Sequence, residues 1–185
     1  WVSSEAIQEA VGLADGRIAA FSGPYQPMVV FDPKAAQGRQ APLPHLSPRC
    51  ILAVGNIVYL SGYPGVMTVR YDPDRPVTPL TALPGVPAVP QDSKNANPRM
   101  LGQFGMSASE GGHIGVQIFH AADGRIYVCA RRHRHYKGFD MVWYDPATDK
   151  TGPVQDEGFL NHLQVGWCAL MDEGRKMIIS TYVQP

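Results

Sequence analysis

Apolar residues in this chain come in short runs separated by tight corners, and the runs follow one order again and again. AVGLADGRIAAFSG followed by MVVFDPKA is echoed by ILAVGNIVYLSG with VMTVRYDPDR, and again by GVQIFHAADGRIYVCAR with DMVWYDPATDK. A further copy begins at GWCALMDEGRKMIISTYV. Each copy predicts an apolar strand, a tight corner, a second apolar strand, a variable loop and a third strand ending in Phe/Tyr-Asp-Pro. The corners Asp15-Gly16, Gly55-Asn56, Asp123-Gly124 and Glu173-Gly174 supply residues that tolerate the positive φ of a short hairpin. Asp32-Pro33, Asp72-Pro73 and Asp145-Pro146 predict the next corner, where Pro fixes φ and Asp can bond the turn backbone. A fourth strand follows, as at residues 150–154.

Four antiparallel strands in a unit of about 40 to 50 residues are the pattern of a β-propeller blade. The expected fold is therefore all-β, with about three to four four-stranded antiparallel blades of a larger, roughly six- to eight-bladed propeller. A sandwich would not repeat one strand grammar so closely. The blades are expected at about residues 5–44, 48–83, 113–155 and 162–185, the last incomplete, all in one partial domain. Residues 83–112, which include LPGVPAVPQDSKNANPR, read as a long surface insertion. No window carries helical periodicity over three turns, and the weak exception is SSEAIQEAV at residues 3–11, which could start a capped helix.

Composition narrows the function classes. Sixteen Lys and Arg balance sixteen Asp and Glu, so there is no net field to attract nucleic acid or an anionic membrane. No apolar run reaches the roughly 18 residues that suggest a bilayer span. Trp1 at the start and Pro185 directly after an apolar run read as cuts within a longer chain, whose remaining blades are the expected partners. Cys50, Cys129 and Cys168 lie among apolar neighbours without ligand spacing and are expected as plain buried thiols.

In such a blade the second-to-third loops and the inter-blade connections share one face, away from the Asp-Gly and Asp-Pro corners. His45 and His113 fall on inter-blade connections, His133 and His135 in a second-to-third loop, and His162 in the next connection. His120 sits inside an innermost strand. Tyr25 and Tyr63 occupy equivalent loops, and Arg49, Arg131, Arg132, Arg134, Tyr136 and Asn161 join the same side. Arg holds a carboxylate bidentately, and His or Tyr exchanges a proton near neutral pH when its surroundings tune it. The expected catalytic set is therefore His133, His135, Tyr136 and His113. The expected substrate-binding set is Arg131, Arg132, Arg134, Tyr25, Tyr63, Arg49, Asn161 and His162. The plain reading of these residues is that polar loops face water. No particular cofactor is indicated, and His133 and His135 with His113 or His162 leave a divalent metal open. Tyr59, Phe119, Tyr127, Trp143, Tyr144, Trp167 and Tyr182 recur at equivalent strand positions and are expected to pack between blades.

The strings ADGRIYV, MVWYDPATDKTG and SGYPGVMTVRYDPDRP resemble bacterial propeller repeats of the NHL, kelch-like and quinoprotein-like kinds, and more distantly those of propeller polysaccharide lyases. The resemblance covers nearly the whole chain and implies fold more than function. Quinone-dependent dehydrogenases would carry a tryptophan docking motif in each blade, and only Trp143 and Trp167 fall near such positions. Lyases acting on uronic-acid polymers use His, Tyr and Arg of the loop face, which implies an acidic glycan as ligand and periplasmic or secreted export. Oligogalacturonate lyases also hold a metal through several His and a Gln. Gln117 precedes His120 and Gln164 follows His162, without reproducing a Gln-x-x-His-x-His string. The expected function is a carbohydrate-active propeller, a lyase or binding protein for a uronate-containing polysaccharide. The alternative is a non-catalytic module that binds a glycan or protein through the loop face and the insertion.

Overall fold

The fold was obtained as a computed structural model, which describes residues 7–23, 26–43, 46–63, 65–78, 94–103, 114–131, 139–154 and 164–182. Every regular element among them is a strand. The first sheet is β1 (Glu9–Gly12), β2 (Ile18–Phe21), β3 (Met28–Asp32) and β4 (Gln37–Ala41). The second is β5 (Ser47–Val54), β6 (Ile57–Tyr63), β7 (Met67–Tyr71) and β8 (Arg99–Gln103). The third is β9 (Ile114–His120), β10 (Ile126–Arg131), β11 (Phe139–Asp145) and β12 (Lys150–Pro153), and β13 (Gln164–Met171) with β14 (Lys176–Tyr182) forms the fourth. All pairs are antiparallel between sequence neighbours. These are propeller-like blades, stacked in chain order with β1 beside β5, β5 beside β9 and β9 beside β13.

The corners behave as their residues require. Gly16, Gly55, Gly124 and Gly174 all have positive φ, which an L side chain would resist. At the third-to-fourth corner the aspartate accepts from the turn backbone, Lys34 N to Asp32 Oδ1 at 2.9 Å, Asp74 N to Asp72 Oδ1 at 3.0 Å and Ala147 N to Asp145 Oδ1 at 2.9 Å.

Two expectations are corrected. Glu9, Ala10 and Val11 pair with β2 rather than entering a helix, because a ladder across β2 satisfies backbone groups that a marginal capped turn would leave to water. The second blade does not close at residue 83: its fourth strand, β8, lies inside the segment expected to be an insertion. The long excursion therefore leaves from the corner between β7 and β8, at the same edge as the Asp-Gly turns and opposite the loop face. Its base is stapled by the buried Asn97. Asp72 N donates to Asn97 Oδ1 at 2.9 Å, and Asn97 Nδ2 donates to Asp72 O at 2.8 Å and Arg75 O at 3.0 Å. Thr78 N also donates to Asn97 O at 2.7 Å.

Three cores fill the spaces between the sheets. Phe21, Met28 and Val30 meet Leu46, Val58, Leu60 and Tyr71 between the first two. Tyr59, Val66 and Cys50 meet Ile126, Val128, Val142 and Tyr144 between the next two, with the Tyr59 and Tyr144 rings tilted at 6.2 Å. Alternate residues of β6 and of β10 thus enter opposite cores, which is why these strands read as continuous apolar runs rather than as alternating ones. The two outermost faces are different. Ile18 and Phe31 on the first sheet are each 40% exposed, and Met171 and Ile178 on the fourth are 50% and 54% exposed.

Candidate functional site

Where β1, β5 and β9 run side by side, a cavity of about 490 Å³ opens, lined among others by Gln8, Glu9, Phe21, Arg49, Gln117 and Phe119. Its position follows from irregularities in the first strands of the sheets. In β5 the register slips between Pro48 and Cys50, leaving Arg49 as the extra residue. In β9 Gln117 pairs with Cys129 and Gly115 with Ala130, leaving Val116 extra, and β13 slips between Val165 and Cys168. A bulge bends its strand and re-aims the bulged side chain. At Arg49 it leaves an exposed guanidinium at the cavity.

These first strands are sheet edges, and the N–H and C=O groups on their unladdered side need partners. Glu9 and Gln117 supply them from equivalent places, each four residues before the residue whose N–H closes the first corner, Leu13 and Ala121. Ile51 N donates to Glu9 Oε2 at 3.1 Å, and Gln117 bonds both backbone groups of Cys168, with Nε2 donating to Cys168 O at 2.9 Å and Oε1 accepting from Cys168 N. The corners of the same sheets are also tied, Ala14 N to Gly55 O at 3.0 Å and Ala122 N to Gly174 O at 3.2 Å. The joint between the second and third sheets instead carries Arg99 bidentate on Asp149, at 2.7 and 3.1 Å.

Burial raises the Glu9 carboxyl above the usual carboxylate range, against the lowering effect of the Ile51 N–H. Cys50, buried beside that carboxylate, is pushed above the ordinary thiol. The cavity thus holds a carboxylate that retains its proton more readily than in water, a cation, two amides and aromatic walls. Such a set can accept and donate hydrogen bonds to a polar ligand and neutralise an anionic group.

Of the residues expected from sequence, Arg49 lines this cavity. Tyr63 ends β6 opposite Ser47, 41% exposed. Arg131 ends β10, where its backbone pairs with Ile114 and Phe139. His45, His113, Arg132, His133, Arg134, His135, Tyr136, Asn161, His162 and Tyr25 lie outside the described residues. The strands that flank those positions, β8 into β9, β10 into β11 and β12 into β13, all meet them at the edge away from the Asp-Gly corners. His120 ends β9, exposed, next to a corner. Among the described residues no three His, Cys, Asp or Glu side chains converge as a metal site. Glu9 was missed from sequence because its role follows from register: only counting back from the corner shows that it and Gln117 are equivalent. No known protein family and no curated protein matches the chain.

Proposed function

We propose that this chain forms part of a carbohydrate-active propeller whose inner cavity takes an acidic sugar residue. Arg49 carries the reading: a bulge brings its exposed guanidinium to a cavity that also holds Glu9, Gln8 and an aromatic wall. In this reading Arg49 receives the uronate carboxylate, Gln8 and the second oxygen of Glu9 bond sugar hydroxyls, and Phe119 lies against the apolar face of the ring. A uronate lyase must also remove the proton next to the carboxylate. That step is assigned to His133, His135 or Tyr136, with Arg131, Arg132 or Arg134 and His113 in support, from segments that β10 and β9 adjoin. Tyr25, Tyr63, Asn161 and His162 extend the binding surface. Further blades of the same protein cover Ile18 and Phe31 at one end and Met171 and Ile178 at the other, and export to the periplasm or medium fits such a substrate.

Calorimetric titration of the full-length protein with uronate oligomers and their neutral counterparts tests the reading. Uronates should bind preferentially, and Arg49→Ala should weaken them by roughly tenfold or more, the worth of a hydrogen bond to a charged group. Equal affinity for neutral sugars, or an Arg49→Ala protein of unchanged affinity, would overturn it. Ultraviolet absorbance of an unsaturated product separates a lyase from a module that binds without cleaving.

A further inference from the structure

Two of the three buried cysteines are neighbours. Cys129 and Cys168 form the buried centre of the third core, between the third and fourth sheets, with Met141, Met177 and Phe119 packed around them. Cys50 lies in the second core, where its thiol donates to Ser61 O at 3.6 Å. The ladder explains the adjacency. Cys129 in β10 is the direct partner of Gln117 in β9, and Gln117 holds both the N–H and the C=O of Cys168 in β13. One side chain therefore fixes the second cysteine over the residue beside the first, and the two side chains pack together in one buried cluster.

We propose that Cys129 and Cys168 are a redox pair that a small disulfide oxidant, glutathione disulfide being the probe, converts to a disulfide joining the third and fourth sheets. Cys168 is the attacking group. It is 5% exposed against 0% for Cys129. The neighbouring Cys129 thiol lowers the pKa of Cys168, whereas Cys168 and burial raise that of Cys129. The Cys168 thiol gives up its proton and its sulfur attacks one sulfur of the oxidant. The oxidant's S–S bond breaks, and one glutathione departs and takes a proton. Cys129 then deprotonates and attacks the Cys168 sulfur, the mixed disulfide breaks, and the second glutathione leaves as a thiol. Two cysteine thiols lose two electrons and two protons, and one glutathione disulfide gains both.

The test is thiol mapping of the folded, full chain after incubation with glutathione disulfide, by alkylation at low pH and mass spectrometry without reduction. The expected product is a Cys129 to Cys168 cross-link with Cys50 alkylated. In Cys129→Ser, glutathione should accumulate on Cys168, and in Cys168→Ser, Cys129 should stay free. A chain whose cysteines all remain alkylatable in a mixture that oxidises it fully once unfolded would overturn the proposal. So would a cross-link to Cys50, or glutathione held on Cys129. The wild-type map decides the matter even where a variant does not fold.

Discussion

Asn97 is a strong test of how the second blade is held, because its 1% exposed side chain serves only backbone groups. Asn97→Ala removes the acceptor for Asp72 N and the donor for Asp72 O, Arg75 O and Pro76 O. These groups sit at the base of the β7 to β8 excursion, where Asp72 is about one-sixth exposed in its side chain. A buried polar group left without its partner costs about 1–3 kcal/mol. Water can reach part of this base, so the four lost bonds should total about 2–4 kcal/mol rather than a full sum. Urea unfolding of the full-length protein should show a lower midpoint with an unchanged slope. Hydrogen exchange should quicken first at Asp72 and Thr78, whose N–H groups depend on this residue. A loss below about 0.5 kcal/mol, the scale of an ordinary surface change, would refute the reasoning, as would faster exchange confined to the first sheet.

The Asp149 carboxyl is held down to about 2, first by the Arg99 guanidinium and also by Lys94 and the Tyr144 hydroxyl. A depressed carboxylate stabilises the fold above its unfolded pKa, and that contribution is lost as pH falls from about 4 through about 2. Asp149→Asn should therefore cost about 1–2 kcal/mol at neutral pH, discounted for solvent screening, and nothing near pH 2, as read from unfolding at several pH values. Glu9 has the opposite sign. Its raised pKa makes the folded state hold the proton more tightly, so this group favours folding below its unfolded pKa and less as pH rises through the folded value. Glu9→Gln, which keeps an acceptor for Ile51 N, should be as stable as the parent or more so at neutral pH, whereas Glu9→Ala should be weaker in thermal unfolding. At Gly152 an added Cβ would lie 2.7 Å from the Trp143 ring, so Gly152→Ala should displace the indole from Arg125, which stands 4.5 Å from its centroid. The expected cost is about 1 kcal/mol with altered Trp fluorescence.

The blades could be read from sequence because their corners carry chemistry that is local: Asp-Gly at one turn and Asp-Pro at the next act through φ and through bonds two or three residues away. β8 could not be read in the same way. RMLGQ is short, has little alternation, and joins the sheet only through a partner more than twenty residues earlier in the chain. The N-terminal segment failed for a related reason, since a capping pattern says nothing about the strand waiting beside it. At the candidate site Arg49 was visible as a cation near a loop. Glu9 was not, and Gln117 was noted only as a neighbour of His120, because what they do is set by register against the next blade. The histidine-rich segments drew attention by composition, and composition does not place a side chain.

The guarding of one blade's edge by a side chain from the blade before it has a consequence for how such a chain changes over time. Glu9 both closes the rim at Ile51 and faces the space where a ligand would sit, so one position answers to assembly and to recognition together. New specificity at that position risks loosening the joint. The easier route to a new ligand is through Arg49, whose bulge leaves it outside the ladder's regular pairing.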